Sequence, residues 1–383
     1  MLTALLILTL RHSTLDVGDG KSFARIEDAL VAAQPGDTIR VWPSTKGYGQ
    51  TALRLTKPRI RLEAATRIVL DGTGFDYSGS GSVPRAIIQF DPEATDCVVS
   101  GFTLRGAHNQ SHNGAGVRIN GAANATVERC EIEGNDMGIM SNGASATGQT
   151  IEHCHIHHNG SAEDPGYNHN LYLGGADVLV RFCEIDHALT GHDLKSRAHF
   201  TRVQGCYLHD SANREFDLVE AEETVPAHSN AALINNLVVR GSSGGNGNVI
   251  HFGREKGVHN GGIWLIGNTI VTTSSAPVLS LSDERATATL TSNVIVSKDQ
   301  GRPSLLAFTN GSAPNAVKGI PNWISPVYGD SPLRMASQLS LPQDFWATFK
   351  VPGPSTKAEY EDGGGRLVPI STDLGYGGKV LWN

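Results

Sequence analysis

The chain has 383 residues, a formal net charge of −7, 18% charged side chains, and 44 glycines beside few aromatic rings. Its length is too great for most single compact cores and suits two domains or one elongated repeat, and abundant Gly and Asn, which tolerate the positive φ of tight turns, fit an all-β chain. The acidic balance excludes a nucleic-acid partner that needs a basic face, and no stretch reaches the roughly 20 apolar residues of a membrane span.

The first segment, "MLTALLILTL", is a short apolar run with no basic residue ahead of it. Residues 1–14 read as a signal-peptide remnant, which would make the protein secreted or periplasmic, or equally as a plain N-terminal strand. Next, "SFARIEDALVAAQPGD" predicts one amphipathic helix with Phe23, Ile26, Leu30 and Ala33 on its apolar face. Ser22 is placed to cap it and Pro35-Gly36 to stop it. Such a helix is expected to cover the open edge of a first coil of strands.

The cysteines mark a repeat. "TVERCEIEG", "TIEHCHIHH", "LVRFCEIDH" and "RVQGCYLHD" share one frame around Cys130, Cys154, Cys183 and Cys206. The frame continues in "LINNLVVRG", "LIGNTIVTT" and "LTSNVIVSK", with Asn236, Asn268 and Asn293 in the Cys place, and upstream "VVSGFTLRG" offers Gly101. The steps run from 23 residues (Cys183 to Cys206) to 32 (Asn236 to Asn268). Short strands at such a period, with no helical pattern between them, are the mark of a β-solenoid. A second strand follows in each repeat: "MGIMSNG", "HNLYLGG", "HDLKSRA", "EFDLVEA", "NVIHFGR" and "PVLSLSD". The expected fold is all-β: a right-handed parallel β-helix over residues 15–300, with an N-terminal α-helical cap. Equivalent residues would stack about 4.8 Å apart, so the cysteines form an internal ladder of thiols rather than disulfides or metal ligands. Past residue 300 the repeat fades, and residues 301–383 read as a C-terminal coil and an irregular extended tail ("VPGPSTKAEYEDGGG") packed on the solenoid.

The helix followed by "GDTIRVWP", the coils built on "GNTIV", and the closing "SPL" and "DLGYGG" resemble the bacterial right-handed β-helix proteins of the pectate-lyase-like superfamily. The resemblance spans nearly the whole chain. It is specific for fold and weak for reaction, because that superfamily holds lyases, hydrolases, esterases, epimerases and phage tailspikes.

Strand alternation sorts the second strands. With Ile139, Leu171, Leu194, Leu218 and Ile250 inward, one outward column reads Gly138, Asn170, Asp193, Asp217, Val249. The next reads Met140, Tyr172, Lys195, Val219, His251, with Arg197 one step beyond Lys195. His169 and His192 fall at the turn-side end of these strands.

Outward Lys and Arg beside carboxylates suit β-elimination on a uronic acid: a cation neutralises the substrate carboxylate, a base takes the adjacent proton, and an acid assists the leaving oxygen. The resemblance implies Lys195 as base, because a Lys or Arg commonly serves so in the superfamily's lyases, often with Ca2+ held by carboxylates. Arg197 would clamp the carboxylate, and Tyr172 or His192 would protonate the leaving oxygen. Asp193 and Asp217, with Asn170, would supply oxygen ligands to Ca2+, although no second acidic row accompanies them. His169, Asn170, Asp217, His251 and Arg254 are expected to bind an acidic polysaccharide or oligosaccharide. The sequence is silent on oligomeric state. A plain salt-bridged polar surface would also satisfy Asp193, Lys195 and Arg197. In a rival reading, Asp193 and Asp217 on adjacent coils, about 5 Å apart, form the pair of a retaining glycoside hydrolase. A C5-epimerase and a non-catalytic carbohydrate-binding β-helix complete the alternatives.

A second cluster lies in the first strands. His157, Asp186 and His209 share a column there, with His155, Glu184 and Tyr207 in the column beside it. Such a His-Asp-His set could take a divalent metal or simply hydrogen-bond.

Overall fold

The computed structural model describes residues 12–220, 229–241, 248–273, 275–297, 303–319 and 321–329, and the backbone of an antiparallel pair, Ile370–Ser371 with Lys379–Val380. The apolar start, residues 1–11, and most of the expected tail lie outside the described residues.

The chain winds into a solenoid of parallel strands, each coil hydrogen-bonded to the next through its backbone. A coil has three strands rather than two. The coil of Cys154 runs Gln149–Glu152, His155–His157, then Leu171–Leu173. The third strands form a separate ten-stranded sheet. Interior rows of Val, Ile, Leu and Phe fill one continuous core along the axis.

The Cys frame marks a corner between the first two strands, not the middle of one. The residue before each internal Cys turns left-handed: Arg129, His153 and Phe182 have φ of 52°, 53° and 54°. That turn swings the following side chain inward, so all five cysteines are buried, free thiols. Gly101, with φ of 84°, occupies the turning position, and the buried Phe102 behind it takes the Cys place.

From Asn236 onward the corner is held by an amide ladder. Asn268 Nδ2 donates to Leu233 O (2.8 Å) and to Asn293 Oδ1 (3.0 Å), while its own Oδ1 accepts from Asn236 Nδ2 (3.0 Å). The ladder continues to Asn322, so the solenoid runs one coil past residue 300. Each amide satisfies a carbonyl that the corner takes out of the sheet. Asn268→Leu takes a partner from two acceptors, Leu233 O and Asn293 Oδ1, and from two donors, the Nδ2–H and backbone N–H of Asn236, and we expect it to cost about 3 kcal/mol, read as a lower melting temperature. A melting temperature equal to the parent's would remove the ladder from the account of stability.

The capping helix spans Ile26–Ala32, shorter than the sequence pattern suggested. Arg25, not Ser22, sits at its N-cap, because Phe23 is drawn into a bridge with Val17 of the first strand. Ile26, Ala29 and Ala33 are buried over the first coil, and Lys57 Nζ donates to the carbonyls of Leu30, Val31 and Ala33. A cation on these C-terminal carbonyls satisfies groups that have no intrahelical partner.

Candidate active site

The third-strand sheet carries one outward row down most of the solenoid. Its rungs are Arg54, Gln89, Arg118, Met140, Tyr172, Lys195, Asp217, His251 and Ser280. Tyr172 and Lys195 share this row as expected, but the residue after Lys195 is Asp217, not Val219. The expected alignment slipped because Phe216 and Leu218 both point inward. Phe216, not Leu218, stacks on Leu194 and Ile250.

Two further candidates lie inside. Asn170 and Asp193 precede the third strand at its corner and are 0% exposed. Asn135, Asn159, Asn170 and Asp193 form a second internal ladder, each amide donating to the next oxygen (3.0, 2.9 and 3.0 Å). Asp193 therefore neither touches substrate nor pairs with Asp217 as hydrolytic carboxylates, and Asn170 is not a substrate ligand. Nor is the calcium set assembled. Asp193 is sealed in the core, and the oxygens of Asp217 are ringed by nitrogen donors.

Asp217, 2% exposed, is the hub of the row. Lys195 Nζ donates to its Oδ2 (2.9 Å), Arg214 Nη1 donates to its Oδ1 (2.7 Å), and His251 Nδ1 meets Oδ1 at 2.8 Å. Burial alone would raise the pKa of Asp217. The His251 hydrogen bond, with His192 and Lys195 close by, outweighs burial and holds the carboxyl well below its ordinary range. His192 Nδ1 accepts the backbone N–H of Arg214 (3.1 Å), which leaves its Nε2–H aimed at Asp217 Oδ2, 3.4 Å away. Burial pushes the His192 imidazole down to about 3, so it is neutral at ordinary pH. His169 is also buried, stacked on His192 at 5.0 Å, and its Nδ1 accepts the His192 backbone N–H (3.0 Å).

The loop after His251, which carries the expected substrate ligand Arg254, closes the site. Glu255, 60 residues after Lys195, accepts from Lys195 Nζ at Oε1 (2.8 Å) and pairs with Arg197 through Oε2. Arg197 Nε also donates to Tyr172 Oη (3.0 Å). The buried carboxylate of Glu220 holds the loop by accepting the backbone N–H groups of Glu255, Lys256 and Gly257 at 2.5–2.7 Å. "EFDLVEA" contained Glu220, and "GREKG" contained Glu255, but no local spacing ties the two together.

A cleft of about 910 Å3 is lined by Tyr172, Lys195, Asp217 and His251 of this row together with Arg197 and the loop residues Arg254 and Glu255. An adjoining hollow of about 230 Å3 shares Tyr172 and Arg197 and reaches Arg118. The site thus offers an amine, a guanidinium and a phenol converging where a carboxylate already sits.

Beneath the cleft lies a buried charge spine that the sequence reading did not find. Glu215 stacks after Asp193, and the buried guanidinium of Arg240 donates to its Oε1 (3.2 Å). Asp193 Oδ2 and Glu215 Oε2 are buried without a hydrogen-bond partner. Burial raises both carboxyls: Asp193 well above its usual range, Glu215 to about 8.

Parallel coils around one axis, with a polar cleft across one sheet, define a right-handed parallel β-helix protein. The chain matches the family described as "Right handed beta helix region" over residues 87–275, in keeping with its resemblance to the pectate-lyase-like superfamily. Among solved structures it is similar to the Dettilon tailspike protein (12% identity, TM-score 0.47, 81% of this chain and 60% of that one). It is also similar to pectate lyase Pel9A (16%, TM-score 0.44, 79% and 78%) and to pectin methylesterase PemA from Erwinia chrysanthemi (11%, TM-score 0.42, 85% and 98%). The chain spans about three fifths of the length of the Dettilon tailspike chain. No curated protein matches it. Among the described residues no helix is long and apolar enough to cross a membrane.

Proposed function

We propose that the chain cleaves an acidic, uronate-containing polysaccharide by β-elimination in the cleft around Tyr172, Lys195 and Arg197. One observation carries the reading: Lys195 and Arg197 jointly grip the carboxylate of Glu255, a residue on an exposed loop. A pair shaped to hold one carboxylate suits another, and a uronate arriving in the cleft would replace Glu255.

In this reading Arg197 neutralises the substrate carboxylate, which acidifies the proton on the adjacent carbon. Lys195, whose ammonium donates to Asp217 and Glu255 before substrate enters, first loses one proton to solvent and then, as the free amine, takes the proton from that carbon. The electron pair forms a carbon–carbon double bond, and the glycosidic carbon–oxygen bond breaks. Tyr172 Oη accepts from Arg197, so its own O–H remains to protonate the leaving oxygen. His192 is less suited to that step, because its one proton faces Asp217. Arg254 lines the cleft as a binding group beside His251, whose ring nitrogens meet Asp217 and Ser282. Asp217 positions the Lys195 nitrogen. A polysaccharide substrate implies a secreted or periplasmic protein. No step here uses calcium.

The test is ultraviolet absorbance of the unsaturated uronate product across a panel of polyuronates and acidic exopolysaccharides. A rise with new chain ends supports elimination. New reducing ends without absorbance would favour hydrolysis instead. That second reading has its own observation: Asp217 and Glu255 share the Lys195 ammonium, within about 6 Å of each other, near the spacing of a retaining pair. Changed sugar composition without cleavage would indicate an epimerase, and saturable binding alone a lectin-like role.

Glu255→Gln tests the grip itself. The Glu255 side chain is 35% exposed while Lys195 and Arg197 are largely buried, and with the pair worth about 1 kcal/mol we expect KM to fall up to about fivefold with kcat nearly unchanged. A raised KM would mean that Glu255 helps hold the substrate rather than standing in its place.

A further inference from the structure

We infer that the second-strand face carries a divalent transition-metal site built from His155, His157 and Glu131, with Glu133 beside it. The face lies around the corner from the cleft, on the strands Glu131–Glu133 and His155–His157. These strands pair in register, Glu131 against His155 and Glu133 against His157.

The decisive atom is His157 Nε2. His157 is 8% exposed, and its Nε2 is buried with no hydrogen-bond partner. It faces Glu131 Oε1 at 3.7 Å and Glu133 Oε2 at 3.8 Å. Both separations exceed a hydrogen bond. They approach the spacing of two ligands on one tetrahedral ion, about 3.4 Å when each bond is about 2.1 Å. One ligand atom each from Glu131, His155 and His157 falls within a 4.8 Å span.

The surrounding contacts orient these groups. His157 Nδ1 lies 2.8 Å from His158 Nδ1. If His157 donates there, its Nε2 presents a lone pair to the carboxylates. In the reverse tautomer the Nε2–H would face the same two carboxylates from beyond hydrogen-bond distance. His155 Nε2 meets Asp186 Oδ2 at 2.7 Å, and its ring stacks on that of His157 at 3.8 Å. Metal-binding imidazoles are commonly held this way by a carboxylate. Thr103 Oγ1 and Arg67 occupy Glu131 Oε2, so Oε1 is the oxygen turned to His157. Two imidazoles and a carboxylate suit Zn2+, Co2+ or Ni2+ better than Ca2+. The column first noted in the sequence, His157, Asp186 and His209, is in register, but Asp186 is spent on His155 and His187. The ligands come from two successive coils, so an ion would clamp one coil to the next.

The test uses chelator-treated full-length protein titrated with Co2+, read by its visible ligand-field bands, and with Zn2+ by calorimetry. We expect one equivalent of either metal and a higher melting temperature when it is bound. His157→Gln and Glu131→Gln should each weaken binding by about 100-fold. Circular dichroism establishes that each variant is folded, and His155→Asn serves if either is not. No stoichiometric binding, or full affinity in folded His157→Gln, would overturn the site. So would binding lost only in His187→Gln and Asp210→Asn, which would move it to the neighbouring cluster of His187, His209 and Asp210.

Discussion

Lys195→Ala is expected to lower the rate of elimination by about a thousandfold or more while the β-helix stays folded, because a positioned base contributes roughly a hundred- to ten-thousandfold. Leu194 and Ser196, the neighbours that face inward, are untouched, and Asp217 keeps Arg214 and His251 as partners. Lys195→Arg separates two roles. It preserves a cation between Asp217 and Glu255, so a lysine that only binds substrate would be rescued. A guanidinium holds its proton far more tightly than an ammonium, so a lysine acting as base would be rescued only poorly. Steady-state kinetics on the substrate found by the absorbance panel decide between them. Full activity in folded Lys195→Ala would falsify the assignment of the base and return attention to Asp217 and Glu255.

The second large effect is on stability. Arg240→Met should cost about 3 kcal/mol, because it leaves the buried Glu215 carboxyl, which burial keeps protonated at neutral pH, without its donor. It also removes the donor to the carbonyls of Ser211 and Asn213. The cost depends on pH, and its sign follows from Glu215. In the folded chain burial raises this carboxyl to about 8. In the unfolded chain it returns to about 4.3. Between those values the folded state binds more protons, so stability is full below about pH 4.3 and falls as pH rises toward 8. The slope is at most about 1.4 kcal/mol per pH unit for this one group. Glu215→Gln should therefore flatten the decline of melting temperature between mildly acidic and mildly alkaline buffer. Asp193, raised in the same direction, and His209, raised to about 10, keep part of the slope in the variant. A pH profile identical in parent and Glu215→Gln would show that Glu215 does not titrate in this range.

Much of this molecule was legible residue by residue. The Cys and Asn frame is local and recurs, because every corner of a solenoid meets the same need for a small or amide side chain inside. The columns His157–Asp186–His209 and Tyr172–Lys195 followed from alternation alone, since Ile156, Ile185 and Leu208 each lie between two polar residues and Leu171 and Leu194 each precede the outward one. Alternation failed at "EFDLV", where Phe216 and Leu218 are both apolar and inward, and a three-residue strand has too few positions to choose its register. It failed again at Asn170 and Asp193, polar residues that read as solvent-facing. They lie inside because a corner removes backbone groups from the sheet, and a buried amide or carboxyl must receive them.

By itself, then, the sequence determined the coiling of the chain, the internal thiols, and the face on which an amine, a guanidinium and a phenol stand together. Only the tertiary structure decided that Asp217 rather than Asp193 anchors that face, that Arg240 lies buried beneath it, and that Glu255 reaches back from 60 residues away to occupy it. The reason is physical: side-chain period is written into neighbouring residues, whereas burial at a corner and closure by a distant loop depend on how successive coils stack.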